Sequence, residues 1–433
     1  MHFRMRTALA AGVTAAAMTL AACSGPGSGD EPSEEFTYWS MWKEGEPQQK
    51  VMAQAIEDFE AETGITVDVQ WQGRDNVQRT VPTLSTHTGP DLVDSSYVKL
   101  YPALVATQQA HGLDQAWQTE VEDGKSVSDL IPQSYLDSID IMNDDGQPWM
   151  VPYNLTSDAI WFNEAEYPDI AKNPPQTWDE FIDLLDKLQD DGVAPIAVDG
   201  DIPGYNAYWF TTIYLRLAGP GALYELASDK TGAAWDAPEV LEAAKKVQQL
   251  VDGGYFIDGY DASKFPTQQQ RWATGKAALL FMGSWAPTET SSYASDGFEY
   301  ASFAFPKVGD SGHDSARADF SGFAVPANAE HADAAQKFIA FYLQNEYQQA
   351  LATEAGLIPI RADVDPSPEQ AEVVQHLKNA ETYHQQNDGV AFPSYNSRVL
   401  WTLDDDLMLG NITAEEFVQK AQAGTVEYWK NQG

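Results

Sequence analysis

The side chains best placed for chemistry in this sequence are aromatic and polar residues at the ends of short apolar runs. Trp285 follows the run 277–282 through Gly283-Ser284, which puts an indole where a loop leaves a strand. Trp42, Lys43 and Glu44 stand in the same relation to a strand expected at 36–39, and Asp94 and Ser95 to one expected at 91–93. An indole covers the apolar C–H face of a ring, and carboxylate, hydroxyl and ammonium groups hydrogen-bond a rim of hydroxyls. Open α/β sheets bind their ligands at strand ends. Such a set suits a pyranose.

Patterns for bond-breaking chemistry are missing. The sequence has no Gly-x-Ser-x-Gly elbow and no His-Glu-x-x-His pair. Gly25, Gly27 and Gly29 cluster without a strand or helix to present them. Asn143-Asp144-Asp145-Gly146 looks like a calcium loop, but aligning its glycine puts Ile141 at the first ligand position and Pro152 at the twelfth. Neither a metal nor a cofactor is expected. Asp404-Asp405-Asp406 reads as a solvated helix face. A glycosidase needs two carboxyls about 5–10 Å apart, and 65 acids leave that alternative open by count.

The elements that must hold these residues are α/β. Residues 36–39 read as a buried strand. Met52, Ala55, Ile56 and Phe59 recur at helical spacing, with Pro47 near the start and Gly64 just past the end. Ile65, Val67, Val69 and Trp71 alternate as a second strand, which makes a βαβ unit and a parallel pair. Thr177-Trp178-Asp179-Glu180 is a capping box ahead of Phe181, Leu184, Leu185 and Leu188. Asp236-Ala237-Pro238-Glu239 opens another helix, ended by Gly253-Gly254, and Thr413-Ala414-Glu415-Glu416 caps a last one. The continuous apolar run 277–282 suits a strand covered on both faces. Trp39, Trp71, Trp178 and Trp272 fall in strand or helix patterns and are assigned to the core.

The first residues set the compartment. Arg4 and Arg6, an Ala-rich apolar run over 8–20, and Ala21-Ala22 before Cys23 make a secretory signal over 1–22, too short to span a bilayer. Cys23 is the single cysteine of 433 residues, so no internal disulfide is possible. Residues 23–35 carry Gly, Pro, Ser and acids and read as a flexible tether, with a reach of roughly 20 Å. Removing residues 1–22 takes away two arginines and no acid, which leaves 23 basic against 65 acidic residues, a net −42. That surface repels nucleic acid and anionic membrane. The roughly 400 residues that follow exceed one hydrophobic core, so two lobes are expected.

Gly275-Lys276-Ala277-Ala278-Leu279-Leu280-Phe281-Met282-Gly283-Ser284-Trp285 is the strongest of a set of ordered pieces. The others are Gly89-Pro90-Asp91-Leu92, the run Gly146-Gln147-Pro148-Trp149-Met150-Val151-Pro152-Tyr153-Asn154, Pro175-Gln176-Thr177-Trp178-Asp179-Glu180-Phe181, Gly322-Phe323-Ala324-Val325-Pro326 and residues 410–421. Together they resemble the extracellular solute-binding proteins of bacterial carbohydrate ABC importers, and Leu20-Ala21-Ala22-Cys23 resembles the lipobox at which such chains are lipidated.

The resemblance implies a two-lobed periplasmic-binding-protein-like fold with discontinuous lobes joined by hinge strands. Residues 36–157 with 306–358 would form one lobe, and 158–305 with 359–433 the other. It adds Asn154, Tyr205, Asn206, Trp209 and Trp401 to the expected ligand contacts. The implied protein is a monomer, anchored through Cys23 on the extracellular face of the bacterial cell membrane. It would bind a neutral mono- or oligosaccharide and deliver it to ABC transporter permease subunits. Thr156 stands where maltose-type members carry an acid, which points away from maltose. A non-sugar ligand or a phosphorylated polyol on the same fold is the remaining alternative.

Overall fold

A computed structural model of the chain describes residues 34–432 apart from 87, 310, 311 and 393. Cys23, the signal and most of the expected tether lie outside the described residues. The chain runs through β1 (Glu35–Ser40), β2 (Thr66–Trp71), β3 (Leu92–Ser96), β4 (Glu120–Glu122), β5 (Lys125–Ser126), β6 (Val151–Thr156) and β7 (Asp158–Asn163). It continues through β8 (Ile196–Ala197), β9 (Leu279–Gly283), β10 (Tyr300–Phe303), β11 (Ser315–Arg317), β12 (Asp319–Ala324), β13 (Ile358–Pro359) and β14 (Thr382–His384). A six-stranded sheet has the order β13-β6-β12-β3-β1-β2, and a four-stranded sheet the order β10-β7-β9-β8. Strand β1 begins at Glu35, one residue inside the expected tether, because Glu35 already pairs with Thr66.

The βαβ unit forms as its pattern requires. β1 and β2 are parallel, from Phe36 opposite Val67 to Ser40 opposite Trp71. The helix between them, Pro47–Thr63, buries Met52, Ala55, Ile56 and Phe59 against the sheet, each worth up to about 1.5–3 kcal/mol for the larger side chains. Pro47 sits in its first turn, where a missing N–H costs nothing. Gly64 ends it at φ 72°, and its amide donates to the Glu60 carbonyl at 2.9 Å. The capping boxes also form. The Thr177 hydroxyl accepts from the Glu180 amide at 3.3 Å, and the Glu180 carboxylate accepts from the Thr177 amide at 3.2 Å. Thr413 and Glu416 repeat the exchange at 3.2 and 3.0 Å.

Trp178 and Trp272 lie in the core at 3% and 1% exposure. Trp39 and Trp71 are only half-buried. Alternation puts Trp39 on the opposite face of β1 from Phe36 and Tyr38, and Trp71 ends an edge strand. The acidic run 404–406 also departs from its expected solvated face. Asp404 is fully buried, and neither carboxylate oxygen has a hydrogen-bond partner among the described residues. Burial pushes its pKa well above the usual carboxylate range. Its helix, Trp401–Met408, packs on the helix Pro203–Ala218, and Asp404 shares the inward face of Leu407 and Met408.

Candidate ligand-binding site

At one crossing between the six- and four-stranded sheets the chain passes through a single residue. β6 belongs to the larger sheet, β7 to the smaller, and Ser157 joins them. The Ser157 amide donates to the Ser284 hydroxyl at 3.3 Å, and the Ser284 amide donates to the Ser157 carbonyl at 2.8 Å. This exchange fixes the residue before Trp285 to the crossing. β9 itself is wholly buried between β7 and β8, starting two residues and ending one residue later than the expected run. Gly283 ends it without a side chain, because a Cβ there would collide with the Trp285 ring folded back over it.

Beneath Trp285 lies a buried cation. The Arg317 guanidinium is 5.7 Å from the Trp285 ring and 4.6 Å from the Tyr208 ring, with its side chain 4% exposed. Arg317 Nε donates to Asp319 Oδ2 at 2.6 Å, and Nη1 stands 3.7 Å from Asp158 Oδ2. Nη2 donates to Gln386 Oε1 at 3.0 Å, and Gln386 in turn donates to the Gly204 carbonyl at 2.9 Å. Burial alone would lower the Arg317 pKa, but the facing Tyr208, Asp319 and Asp158 outweigh it and hold the group charged. Burial raises the Asp158 pKa, and Arg317 pulls it back.

Around this cation stand three partly exposed aromatic residues. Tyr205 is 6.3 Å from Trp285, and Trp401 lies beside Gly204. The indole Nε1 of Trp401 is buried without a hydrogen-bond partner among the described residues.

The other expected residues divide. Lys43 and Glu44 are exposed beyond β1. Trp42 is 6% exposed, and Arg74 covers one of its faces at 4.4 Å. Arg74 is itself paired with Glu46 at 3.0 Å, and its charge reaches Glu289, which follows β9. The Trp42 Nε1 donates to the Tyr153 hydroxyl at 3.0 Å, which donates to Asp94 at 2.7 Å. Asp94 also accepts from the Met41 amide at 2.9 Å, so it braces the loop after β1 from below. Asp94 and Ser95 lie inside β3, fully buried, because the strand runs three residues further than expected. Asn154 is buried within β6. Asn206 binds Asp405 at 2.8 Å and the Gly200 carbonyl at 3.1 Å, which fastens two helices together. Trp209 packs at 5.0 Å from Phe281, 5.8 Å from Phe256 and 6.0 Å from Phe305, inside the core of the smaller sheet.

Three partly exposed aromatic residues thus stand near a buried guanidinium that faces two carboxylates. The profile of bacterial extracellular solute-binding proteins matches residues 54–381, more than half of the chain. The chain is a bacterial extracellular solute-binding protein.

Among relatives of this solute-binding protein is the diacetylchitobiose binding protein NgcE of Streptomyces coelicolor, 23% identical over 207 residues, which are 46% of this chain and 42% of that one. A probable sugar-binding periplasmic protein of Rhizobium meliloti is 29% identical over 223 residues, 51% and 52% of the two chains. The chain thus spans about half the length of these relatives. DasA, a second diacetylchitobiose binding protein of S. coelicolor, is 25% identical over 364 residues, 81% of this chain and 80% of that one. Solved structures share the fold. One, from work on xylan utilisation by Caldanaerobius polysaccharolyticus, has a TM-score of 0.74 at 18% identity, over 90% of this chain and 99% of that one. A chitin oligosaccharide binding protein has a TM-score of 0.72 at 21% identity, over 91% and 98%.

Proposed function

We propose that this solute-binding protein captures a neutral sugar between two closing lobes and delivers it to the permease of an ABC importer, without catalysing a reaction. The observation that carries the reading is the cluster of Trp285, Tyr205 and Trp401 over an Arg317 already neutralised by Asp158 and Asp319. Stacking faces are on offer, while the guanidinium of the cluster already faces two carboxylates that oppose a phosphate or carboxylate ligand. Relatives named for diacetylchitobiose and sugar binding point the same way. The lobes would be 36–157 with 306–358 and 158–305 with 359–433, a division supported by β6 and β7 lying in different sheets on either side of Ser157. Single-residue crossings of this kind suit hinge closure.

The test pairs calorimetry with scattering. Titration with N,N′-diacetylchitobiose, xylobiose and raffinose is expected to find a ligand that lowers the radius of gyration. Its affinity should barely change with salt, since exposed charges are screened beyond about 8 Å at physiological ionic strength. A tight ligand without compaction would remove the closure mechanism. A best ligand bearing a phosphate, with affinity falling steeply in salt, would overturn the neutral-sugar reading, and cleavage of a labelled oligosaccharide would make the protein a glycosidase.

Cys23 serves in this reading as the lipid attachment point, supported by the residues before it and by its being the only cysteine. Several acyl chains hold a protein stably where one does not. A Cys23→Ser variant is expected to leave the membrane fraction of expressing cells. Full retention of the variant would count against the anchor.

A further inference from the structure

Strands β11 and β14 form a short parallel ribbon apart from both main sheets, with Ser315 opposite Thr382 and Arg317 opposite His384. β11 lies between β10 of the smaller sheet and β12 of the larger one, so the ribbon stands on another passage of the chain between them. Arg317 of this ribbon is also the cation beneath Trp285 and Tyr208. A movement of the ribbon therefore moves the group on which both rings rest.

His384 is buried in this ribbon at 5% exposure. Its Nδ1 and the Ser315 hydroxyl are hydrogen-bonded at 2.6 Å, and its carbonyl accepts from the Ala318 amide at 2.8 Å. The charged and titratable groups that act on the ring are Arg216 from the helix Pro203–Ala218, Arg317 from the facing strand, and His376 from the helix Ala371–Asn379. The carboxylates of the cluster are engaged elsewhere. Asp314 accepts from Arg216 Nη1 at 2.9 Å and stands 3.4 Å from His376 Nε2, and Asp319 accepts from Arg317 Nε at 2.6 Å. An imidazole taken out of water beside two guanidiniums, with no acid of its own, holds a proton poorly. Burial first, then Arg216 and Arg317, keep its pKa well below the ordinary imidazole range. His376 is lowered in the same sense by burial and Arg216, and Asp314 opposes that.

We propose that His384 is an acid-sensitive latch: the ribbon closes on the neutral ring and opens when the ring gains a proton, and opening withdraws Arg317 from beneath Trp285 and Tyr208. Only the consequence for a bound ligand rests on the sugar reading given above; the opening itself does not. A ring freed by opening takes up a proton at a pH of about 6.5, whereas the enclosed ring resists it. The open form thus binds more protons than the closed one. Closure is at full strength above that pH and weakens as the pH falls below it. Between pH 7.5 and pH 5.5 a single such ring shifts the opening equilibrium about tenfold.

Hydrogen exchange read by mass spectrometry tests it on the mature protein without ligand, at pH 7.5 and pH 5.5, each corrected for the intrinsic chemical rate. The Ala318 amide donates to the His384 carbonyl, and the Glu381 and Thr382 amides donate to the Asp314 carbonyl. Peptides carrying these amides are expected to lose protection about tenfold at the lower pH. They should also be less protected there than β1 and β2. His384→Asn keeps a side-chain amide for the Ser315 hydroxyl but takes no proton in this range, so its loss should be at most about twofold. An equal loss in wild type and variant, or no loss in the wild type, overturns the latch. So does protection at pH 5.5 no lower in the ribbon than in β1 and β2, which would mean that the ribbon opens only when the whole molecule unfolds. Should His384→Asn fail to fold, the histidine ring resonances of the wild type decide. One imidazole that stays neutral down to pH 5 is expected, and titration of every histidine at about pH 6.5 overturns the latch.

Discussion

Trp285→Ala is expected to weaken ligand binding by roughly 2–4 kcal/mol, about 30-fold to 1,000-fold, while the protein still folds. The size follows from where the indole stands. It is held at the sheet crossing by the Ser157–Ser284 exchange, so its orientation costs the ligand nothing. One of its neighbours is the charged Arg317 at 5.7 Å, which an aromatic face accommodates well. Because the side chain is only half-buried, its removal leaves a smaller void than loss of a core tryptophan such as Trp209 would. Affinity and melting temperature measured on one sample separate the two roles. A melting temperature lowered by many degrees with affinity intact would make Trp285 a packing residue and remove the main support of the proposed site.

The fold was legible because its signals are local. The Pro47–Gly64 bracket and the two capping boxes satisfy backbone groups within a few residues, the apolar run ahead of Gly283 marks a strand covered on both faces, and all appear as elements in the structure. The site was legible only in part. Asp94 and Ser95 were placed after a strand on the evidence of an apolar run, but a strand can continue through polar residues when another strand pairs with them. β12 pairs with both, opposite Phe323 and Gly322. Trp209 belongs to a helix buried from Asn206 through Arg216, and a helix buried on all sides carries no single apolar stripe to mark which ring faces the ligand. Arg317 and Asp158 left no local pattern at all. They meet from strands far apart in sequence.

That buried trio should dominate stability. Arg317→Met is expected to destabilise the protein by about 3–5 kcal/mol, as removal of one partner from a buried ion pair does. The methionine fills much of the space, so the cost is chiefly electrostatic. It leaves Asp158 and Asp319, with side chains 11% and 16% exposed, facing each other across the vacated position. The pH dependence gives the mechanism away. Burial already holds the Asp158 pKa above its ordinary value, and Arg317 is the largest influence opposing that rise. Without the guanidinium the folded-state pKa climbs further above the unfolded one, so the folded variant binds a proton more tightly than the unfolded chain does. Stability linked to a raised carboxyl is present at low pH and lost as pH rises through the folded pKa. The deficit relative to wild type should therefore be greatest at neutral pH and shrink as the pH falls towards 5. Urea unfolding of both proteins between pH 8 and pH 5 measures it. A deficit of the same size throughout would mean that the arginine acts through packing, and no deficit would mean that the two carboxylates do not need it. Ligand affinity at neutral pH should fall as well, since Trp285 and Tyr208 lose the group on which both rings rest.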